Sequence, residues 1–357
     1  MRARTSAGIV VLIALTAIVI AGCGGGSSSS SSSSTAANTE TEAKGESGSG
    51  GEGGEIFYIS PVASQPGQQE VAEGMEGAAK TLGWSSFVLD SNLSAERQVS
   101  NIETAINKGA KAIGSATLDA DAAAGAYNKA LDAGIPVIGV NSEGDGLSSS
   151  VFWATIKCEK GGPQEQNAEY IAEQAPGANV IVIEGPPAPA IIQETECFVK
   201  AAKAAGLNVQ NSTANLGDTS DAAQKLAENL LTKYSDVEAV WAYNDQSALG
   251  MTAALLSHGK KVASATDPGV IVIGNTGDPE GIEGVEADRL TATWDPNNVA
   301  AGWAVVKLMQ EALEGGTEKT YPPLVIESTF YTSENVDEYV PANERTYSLD
   351  SLPIVGG

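Results

Sequence analysis

The chain has 357 residues and a formal net charge of −25, from 20 Lys and Arg against 45 Asp and Glu. An acidic surface without a basic cluster beyond the N-terminus excludes nucleic acids and anionic lipid surfaces as binding partners of the folded part. About 300 residues follow position 55, which is long for a single core, so we expect two lobes.

Residues 1–22 have the pattern of a secretory signal peptide. Two arginines precede a nearly continuous apolar run over residues 7–21. The run is shorter than the roughly 20 residues of a membrane-spanning helix, so we expect export and cleavage. Residues 20–23, Ile-Ala-Gly-Cys, resemble the bacterial lipobox, in which cleavage precedes the cysteine and its thiol carries the lipid. We therefore predict lipidation of Cys23. An ordinary secretory signal with an incidental cysteine is the alternative.

The lipidated cysteine would begin a flexible tether over residues 23–54, which consists almost entirely of Gly, Ser, Thr, Ala and Glu. Such a segment has too little apolar surface to fold. A Gly/Ser-rich coil of about 30 residues reaches roughly 30 Å. Gly48, Gly50 and Gly53 fit a G-x-G-x-x-G pattern, but it neither follows a strand nor opens a helix, so no dinucleotide site is expected.

Alternating strands and helices are predicted from Glu55 onwards. In the first half, the apolar strands are IFYIS, FVLD, AIGS and IPVIGV, and helices between them end at Gly83, Gly109 and Gly134. Glycine after a helix is the expected left-handed stop.

The two remaining cysteines, Cys158 and Cys197, form an even pair in an exported protein, so we predict a disulfide between them. Two separate buried thiols are the alternative.

The same alternation restarts after Cys158, with strands VIVIE, AVWAY, VIVIG and LTAT and a long final helix from Val299 to Leu313. Continuous apolar strands between helices indicate parallel sheets covered on both faces. The predicted fold is therefore α/β, with two doubly wound, Rossmann-like lobes. In such sheets ligands lie at the carboxyl ends of the strands, which selects the loops that begin near residues 60, 140, 184, 215, 243, 274 and 293.

Six segments resemble, in order, the ribose-type (type I) periplasmic binding proteins of sugar ABC importers: GAAKTLG, NKGAKAIG, AGIPVIGVNS, NLLTKYSDVEAVWAYNDQSALG, VIVIGNTGDPEG and ATWDPNNVAAG. The resemblance implies two lobes joined by a three-strand hinge that close on one small molecule. It places the chain crossings near residues 155–157, 294–296 and 323–325. Lobe one would then comprise residues 55–156 and 296–323, and lobe two residues 157–295 and 324–357.

The resemblance transfers only part of the family's ligand site. Asn244 matches a ligand-binding Asn, and Gln65 falls where an Asn precedes a Pro. The family's aromatic pair and its Asp-Arg pair are replaced, the latter by Asn141 and Ser142. With the loops above, the predicted ligand-binding residues are Gln65, Gln68, Asn141, Glu194, Asn244, Asp278, Trp294 and Asp295, with Tyr243 and Trp153 as further lining. Because most of the charged residues with which the family binds sugar hydroxyls are missing, a neutral or partly apolar ligand is as compatible with this sequence as a common sugar.

Each of these residues also has a structural interpretation. Asn244 could cap the following helix, as could Asp245, and Asp278 could cap the next one. Trp294 could either pack in the hinge or stack on a ligand.

We predict no catalysis, cofactor or metal site, because the only histidine, His258, stands at a helix end without partner residues, and no catalytic or metal motif occurs. The expected partners are a small molecule, an ABC permease and, through the anchor, a membrane, and the expected state is monomeric. A sensing receptor for a membrane signalling protein and a carbohydrate-active enzyme remain the alternatives.

Overall fold

A computed structural model describes residues 53–317 and 319–356. The predicted signal peptide, the predicted lipidation at Cys23 and all but the last two residues of the predicted tether lie outside the described residues. Among the helices that are described, none is long and apolar enough to cross a membrane.

The secondary structure alternates along the chain as predicted. The first half contains β1 (Glu55–Ser60), α1 (Pro66–Thr81), β2 (Ser85–Asp90), α2 (Ala95–Asn107), β3 (Ala112–Ser115), α3 (Ala120–Asp132), β4 (Val137–Val140) and β5 (Ser149–Trp153). The second half contains α4 (Pro163–Gln174), β6 (Asn179–Glu184), α5 (Pro189–Ala204), β7 (Asn208–Ala214), α6 (Ser220–Lys233), β8 (Ala239–Ala242), α7 (Asp245–Ser257), β9 (Ile271–Gly274), α8 (Pro279–Glu286) and β10 (Ala292–Asp295). The chain continues with α9 (Asn298–Gly315), β11 (Leu324–Ile326) and β12 (Thr329–Thr332).

Helix ends follow local chemistry. Ser94 accepts a hydrogen bond from the backbone N–H of Arg97 at the start of α2, and Asp119 does the same for Ala122 at the start of α3. Helices α1, α4, α5 and α8 begin with proline, whose fixed φ suits the first turn. The predicted stop glycines, Gly83, Gly109 and Gly134, all have positive φ, which confirms these helix ends, and Gly206 and Gly259 end α5 and α7 in the same way.

The described strands form two six-stranded sheets. The first has the order β11-β5-β4-β3-β1-β2, and the second has the order β12-β10-β9-β8-β6-β7. Neighbours within each sheet are parallel, except that β12 runs antiparallel to β10. The strand order reverses beside β1 in the first sheet and beside β6 in the second, which creates the switch point where open sheets bind ligands.

Apolar side chains cover both faces of each sheet. Tyr58 and Ile56 of β1 face α1 and α9, whereas Phe57 and Ile59 face α2 and α3. The second sheet is likewise packed between α6 to α8 on one face and α4 and α5 on the other. Trp241 is fully buried and stacks on Phe198 with 4.7 Å between the ring centroids. The doubly wound fold class is therefore confirmed.

In the described part of the chain, four connections join the two lobes. The chain leaves the first sheet after β5 through a 3₁₀ turn over residues 154–156, and it returns between β10 and α9 at residues 296–297. The third crossing lies between β11 and β12. The fourth lies between Tyr339, which packs on the second core, and Tyr347, which packs on the first.

The C-terminal part of the predicted division is wrong. Residues 324–326 were assigned to lobe two, but β11 pairs with β5 of the first sheet. The backbone N–H of Val355 then donates to the carbonyl of Val325, and Tyr347 and Leu352 pack on the first core. Resemblance placed the crossing a few residues too early because this pairing depends on contacts far apart in the chain.

Candidate functional site

A cleft lies between the two sheets, at the carboxyl ends of their strands. It encloses about 120 Å³, several times the space that one water needs. Its walls come from the loops after β1, β3, β4 and β5 in lobe one and after β6, β7, β8 and β9 in lobe two. Six of the predicted ligand-binding residues line it: Gln65, Gln68, Asn141, Glu194, Asn244 and Asp278.

Lobe one presents amide groups to the cleft. The Oε1 atom of Gln68 accepts a hydrogen bond from the hydroxyl of Tyr58. The Oδ1 atom of Asn141 accepts one from the backbone N–H of Trp153 at 2.8 Å. Asn141 has a φ of 50°, a left-handed conformation that Asn tolerates better than most residues. Because each acceptor end is occupied, the two amides offer their N–H donors to a ligand.

Lobe two presents a buried carboxyl group, Glu194, from the second turn of α5. The Nε2 atom of Gln164 donates to Glu194 Oε1 at 3.2 Å and to the carbonyl of Thr155 at 3.0 Å. The Oε1 atom of Gln164 in turn accepts from the indole N–H of Trp241 at 3.0 Å, so the core orients this amide. Burial raises the pKa of Glu194 well above its ordinary value.

Asp218 connects the two lobes at the rim of the cleft. Gln65 of lobe one donates from Nε2 to both the carbonyl and Oδ2 of Asp218, each at 2.8 Å. Asn244 donates to Asp218 Oδ1 at 3.1 Å, while its own Oδ1 accepts from the backbone N–H of Ser247 and so caps α7. Burial raises the pKa of Asp218 to about 6, opposed by these hydrogen bonds. Asn244 thus lines the cleft and also caps α7, which is the structural role that the sequence suggested for it.

Asp278, which lines the cleft, is in contact with a second buried carboxyl group, Asp245, behind the cleft wall. Asp245 accepts a hydrogen bond from the hydroxyl of Thr293 at 2.6 Å and from the backbone N–H of Asp278 at 2.8 Å. Burial raises the pKa of Asp245 to about 6. Burial, and then the charge of Asp245, raises the pKa of Asp278 well above its ordinary value. The side chain of Asp278 makes no capping hydrogen bond at the start of α8. Asp278 therefore does not have the capping role that the sequence also suggested for it.

Two aromatic side chains line the cleft with polar atoms that have no partner. Among the described residues, neither the hydroxyl of Tyr243 nor the indole N–H of Trp153 makes a hydrogen bond, although both atoms are buried. A Cβ atom at Gly185 would lie 2.5 Å from the ring of Tyr243, so only glycine lets that ring occupy its place. Buried polar groups without partners are uncommon in folded proteins, and these two lie where a ligand in the cleft would supply a partner.

Two predicted ligand residues do not line the cleft. Trp294 is 3% exposed, donates from its indole N–H to Asn167 Oδ1 at 2.8 Å, and packs on the ring of Phe330. Asp295 forms a 2.5 Å ion pair with Arg345, a residue 50 positions later that no local pattern connects to it. The prediction for both is corrected to hinge packing, because Phe330 of β12 packs on Trp294 and Arg345 of the C-terminal segment covers Asp295.

Several lining residues were not predicted individually. Asp218 lies in the predicted loop after β7, but nothing local distinguishes it from the neighbouring polar residues. Asn275 lines the cleft after β9, and its Nδ2 atom donates to the carbonyl of Ala242 at 2.7 Å.

His258 lies away from the cleft lining, at the end of α7, and forms a 2.8 Å hydrogen bond with Glu228. Cys158 and Cys197 form a disulfide with 5.0 Å between their Cα atoms.

Fold and site together define a two-lobed binding protein with its small-molecule site between the lobes. The model of the family described as a periplasmic binding protein domain matches residues 56–317. The chain therefore belongs to the periplasmic binding protein family. Members of this family are solute-binding proteins, so the chain is a binding protein and not an enzyme. This confirms the resemblance seen in the sequence.

Named relatives span most of the chain. The ribose import binding protein RbsB of Salmonella typhimurium is 31% identical over 243 residues, covering 67% of this chain and 77% of its own length. The D-allose-binding periplasmic protein of Escherichia coli is 27% identical over 278 residues, covering 73% and 85%. The structure of the Caulobacter myo-inositol binding protein bound to myo-inositol has a TM-score of 0.69 at 24% identity, covering 82% of this chain and 97% of its own. The structural likeness shows the shared fold.

Proposed function

We propose that this chain captures a sugar or sugar-like compound outside the cytoplasm and delivers it to an ABC importer. The observation that carries the proposal is a cleft at the switch points of two doubly wound sheets, lined by amides, carboxyls and aromatic rings. Such groups exchange hydrogen bonds with hydroxyls, while aromatic faces pack on C–H surfaces. Relatives that carry ribose or D-allose in their names support the assignment of substrate class.

The proposed mechanism is a clamp. A ligand between the lobes would contact both only when they are closed, so binding shifts the equilibrium towards the closed form by its differential affinity. The contacts between Gln65 and Asp218 already bridge the lobes in this structure and would supplement those of the ligand. The permease would read the closed arrangement of the two lobes, with no covalent step.

The proposed location follows from the N-terminal pattern. The signal peptide over residues 1–22 would be removed, Cys23 would carry lipid, and residues 23–54 would hold a monomeric body clear of the membrane. Mass spectrometry of the membrane-extracted protein should find a diacylglyceryl mass on an N-terminal Cys23. An unmodified N-terminus elsewhere would contradict the anchor. We also propose that the lobes have the boundaries predicted from the sequence, except that β11 and the segment around Tyr347 and Leu352 belong to lobe one.

The function is tested by a thermal-shift screen of the purified protein against pentoses, hexoses and polyols. A ligand at 100 times its dissociation constant should add about 2.7 kcal/mol to the free energy of unfolding. At least one hydroxylated compound should raise the melting temperature and be recovered chemically unchanged. If no compound of this class binds, the substrate class is wrong. If a compound is consumed, the protein is an enzyme.

A further inference from the structure

The charged groups that line the cleft all have one sign. Glu194, Asp218 and Asp278 line it, and no Lys, Arg or His of the described residues does. The basic side chain nearest in sequence to the lining, Lys157, pairs with Glu143 at 3.0 Å and lies over the ring of Phe152. A ligand in this cleft therefore meets carboxyl groups that no protein cation neutralises.

Two of these carboxyl groups, Asp218 and Glu194, differ in how many hydrogen bonds they accept. Both carboxyl oxygens of Asp218 accept amide hydrogen bonds, from Gln65 and Asn244. Glu194 accepts a single bond at 3.2 Å from Gln164, and that donor is shared with the carbonyl of Thr155. Glu194 is 4% exposed and lines the cleft. Its second oxygen, Oε2, accepts no hydrogen bond from the described residues.

An independent observation on the same lobe also indicates a bound ligand. Tyr243 is 7% exposed and lines the cleft, and its buried hydroxyl has no hydrogen-bond partner among the described residues. The ring of Trp153 lines the cleft from the other lobe, and its buried indole N–H is also without a partner. Aromatic rings attract cations to their faces, so the lining combines two kinds of group that favour positive charge.

Charge balance distinguishes an amine from a neutral sugar. A buried carboxylate without a cation is costly, and a hydroxyl supplies a hydrogen but no compensating charge. An ammonium group supplies both, with three donors. A metal ion is a poorer occupant, because in the part of the chain that the structure describes no three His, Cys, Asp or Glu side chains are grouped to hold one. The amides of Gln68 and Asn141 leave donors for the hydroxyls of the same ligand.

We propose that the cleft selects a hydroxylated compound that carries a protonated amine, such as an amino sugar or amino polyol, with the ammonium group bound at Glu194. This inference rests on the proposed function and narrows its substrate class. The ligand hydroxyls would contact the amides of lobe one, and the ammonium group would lie against lobe two. Binding would thereby require both lobes.

The test compares matched ligands on the detergent-purified protein by isothermal titration calorimetry at pH 7. The sets are D-glucosamine with D-glucose and N-acetyl-D-glucosamine, D-galactosamine with D-galactose, and 1-amino-1-deoxy-D-sorbitol with D-sorbitol. We expect at least one amine to bind ten-fold or more tightly than its neutral partners. If neutral compounds bind as tightly as their amines, this inference fails and the proposed function stands. If no member of any set binds, this inference fails, and the thermal-shift screen decides the proposed function separately.

Glu194→Gln tests the assigned residue. The substitution keeps the size and the acceptor oxygen but removes the charge, so the preference for the amine should fall to less than about two-fold, with the affinity for the neutral partner retained. Glu196→Gln, on the exposed side of the same helix, should leave the preference unchanged. An unaltered preference in a folded Glu194→Gln protein would overturn the assignment. If that variant does not fold, the comparison of matched ligands on the unmodified protein still decides the proposal.

Discussion

Glu70 is a carboxyl group that the fold keeps partly protonated near neutral pH. It lies on α1, is 8% exposed, and accepts a 3.0 Å hydrogen bond from Nδ2 of Asn298 at the start of α9. Burial raises its pKa from 4.5 to about 7, although the bond from Asn298 opposes the shift. Because the folded state holds this proton more tightly than the unfolded chain does, ionisation of Glu70 costs stability.

The contribution of Glu70 to stability should be present below about pH 4.5 and lost as the pH rises through about 7. Glu70→Gln cannot ionise, so at pH 8 it should raise the free energy of unfolding by up to about 3 kcal/mol relative to the unmodified protein, and it should have little effect at pH 4.5. Urea unfolding at both pH values measures the difference. Glu73→Gln, on the exposed side of the same helix, is the control. Equal pH dependence in Glu70→Gln and the unmodified protein would contradict the assignment.

Helices α1 and α9 pack with their backbones in contact, and this pairing holds the return of the chain to lobe one. A Cβ atom at Gly74 would lie 2.2 Å from the carbonyl oxygen of Val299. A Cβ atom at Gly302 would lie 2.2 Å from the carbonyl oxygen of Val71. Neither backbone can yield without moving a whole helix, so both glycines are required by packing and not by an unusual φ.

Gly74→Ala should therefore destabilise the protein by about 1–3 kcal/mol, since added volume in a packed interface forces the helices apart. Gly125→Ala, in α3, is the matched control, because a Cβ atom there would meet nothing within 4 Å. That variant should be more stable by about 0.5–1 kcal/mol, the usual gain of alanine over glycine in a helix. Chemical denaturation of both variants gives the comparison. A neutral or stabilising Gly74→Ala would show that the interface is not tightly packed.

The two lobes of the molecule touch across the cleft through Gln65 and Asp218. Both hydrogen bonds are 2.8 Å long and join residues 153 positions apart. These contacts stabilise the arrangement of the lobes seen in this structure, and opening of the lobes would break them. The equilibrium between the open and closed forms should therefore respond to this one pair of contacts.

Gln65→Ala removes both contacts and should shift the ligand-free molecule towards the open form by about 1–3 kcal/mol. Small-angle X-ray scattering should then report a larger radius of gyration, and ligand affinity should fall. Gln69→Ala is the matched control, because the side chain of Gln69 donates to the carbonyl of Ala63 within its own lobe. The same radius of gyration in both variants would mean that the Gln65 contacts do not hold the lobes together.

Local chemistry alone determined the alternation of strands and helices, the stop glycines and the loops that line the cleft. Apolar runs such as residues 56–60 must be buried on both faces, and glycine at position 83 ends a helix because it adopts positive φ without strain. Parallel strands bring their carboxyl ends to one edge, so the segment after β1 that contains Gln65 and Gln68 could be assigned to the site before its contacts were known.

Tertiary structure alone decided which residues of those loops face the cleft. Asp295 stands at the end of a strand in the same way as Asn141, yet Arg345 covers it, because the C-terminal segment returns over the hinge. Asp218 became part of the site through Gln65, which is distant in sequence. Pairing of β11 with β5 likewise depends on residues more than 170 positions apart. A sequence pattern reports on residues that are close together in the chain, whereas contacts between distant segments form only when the whole chain has packed.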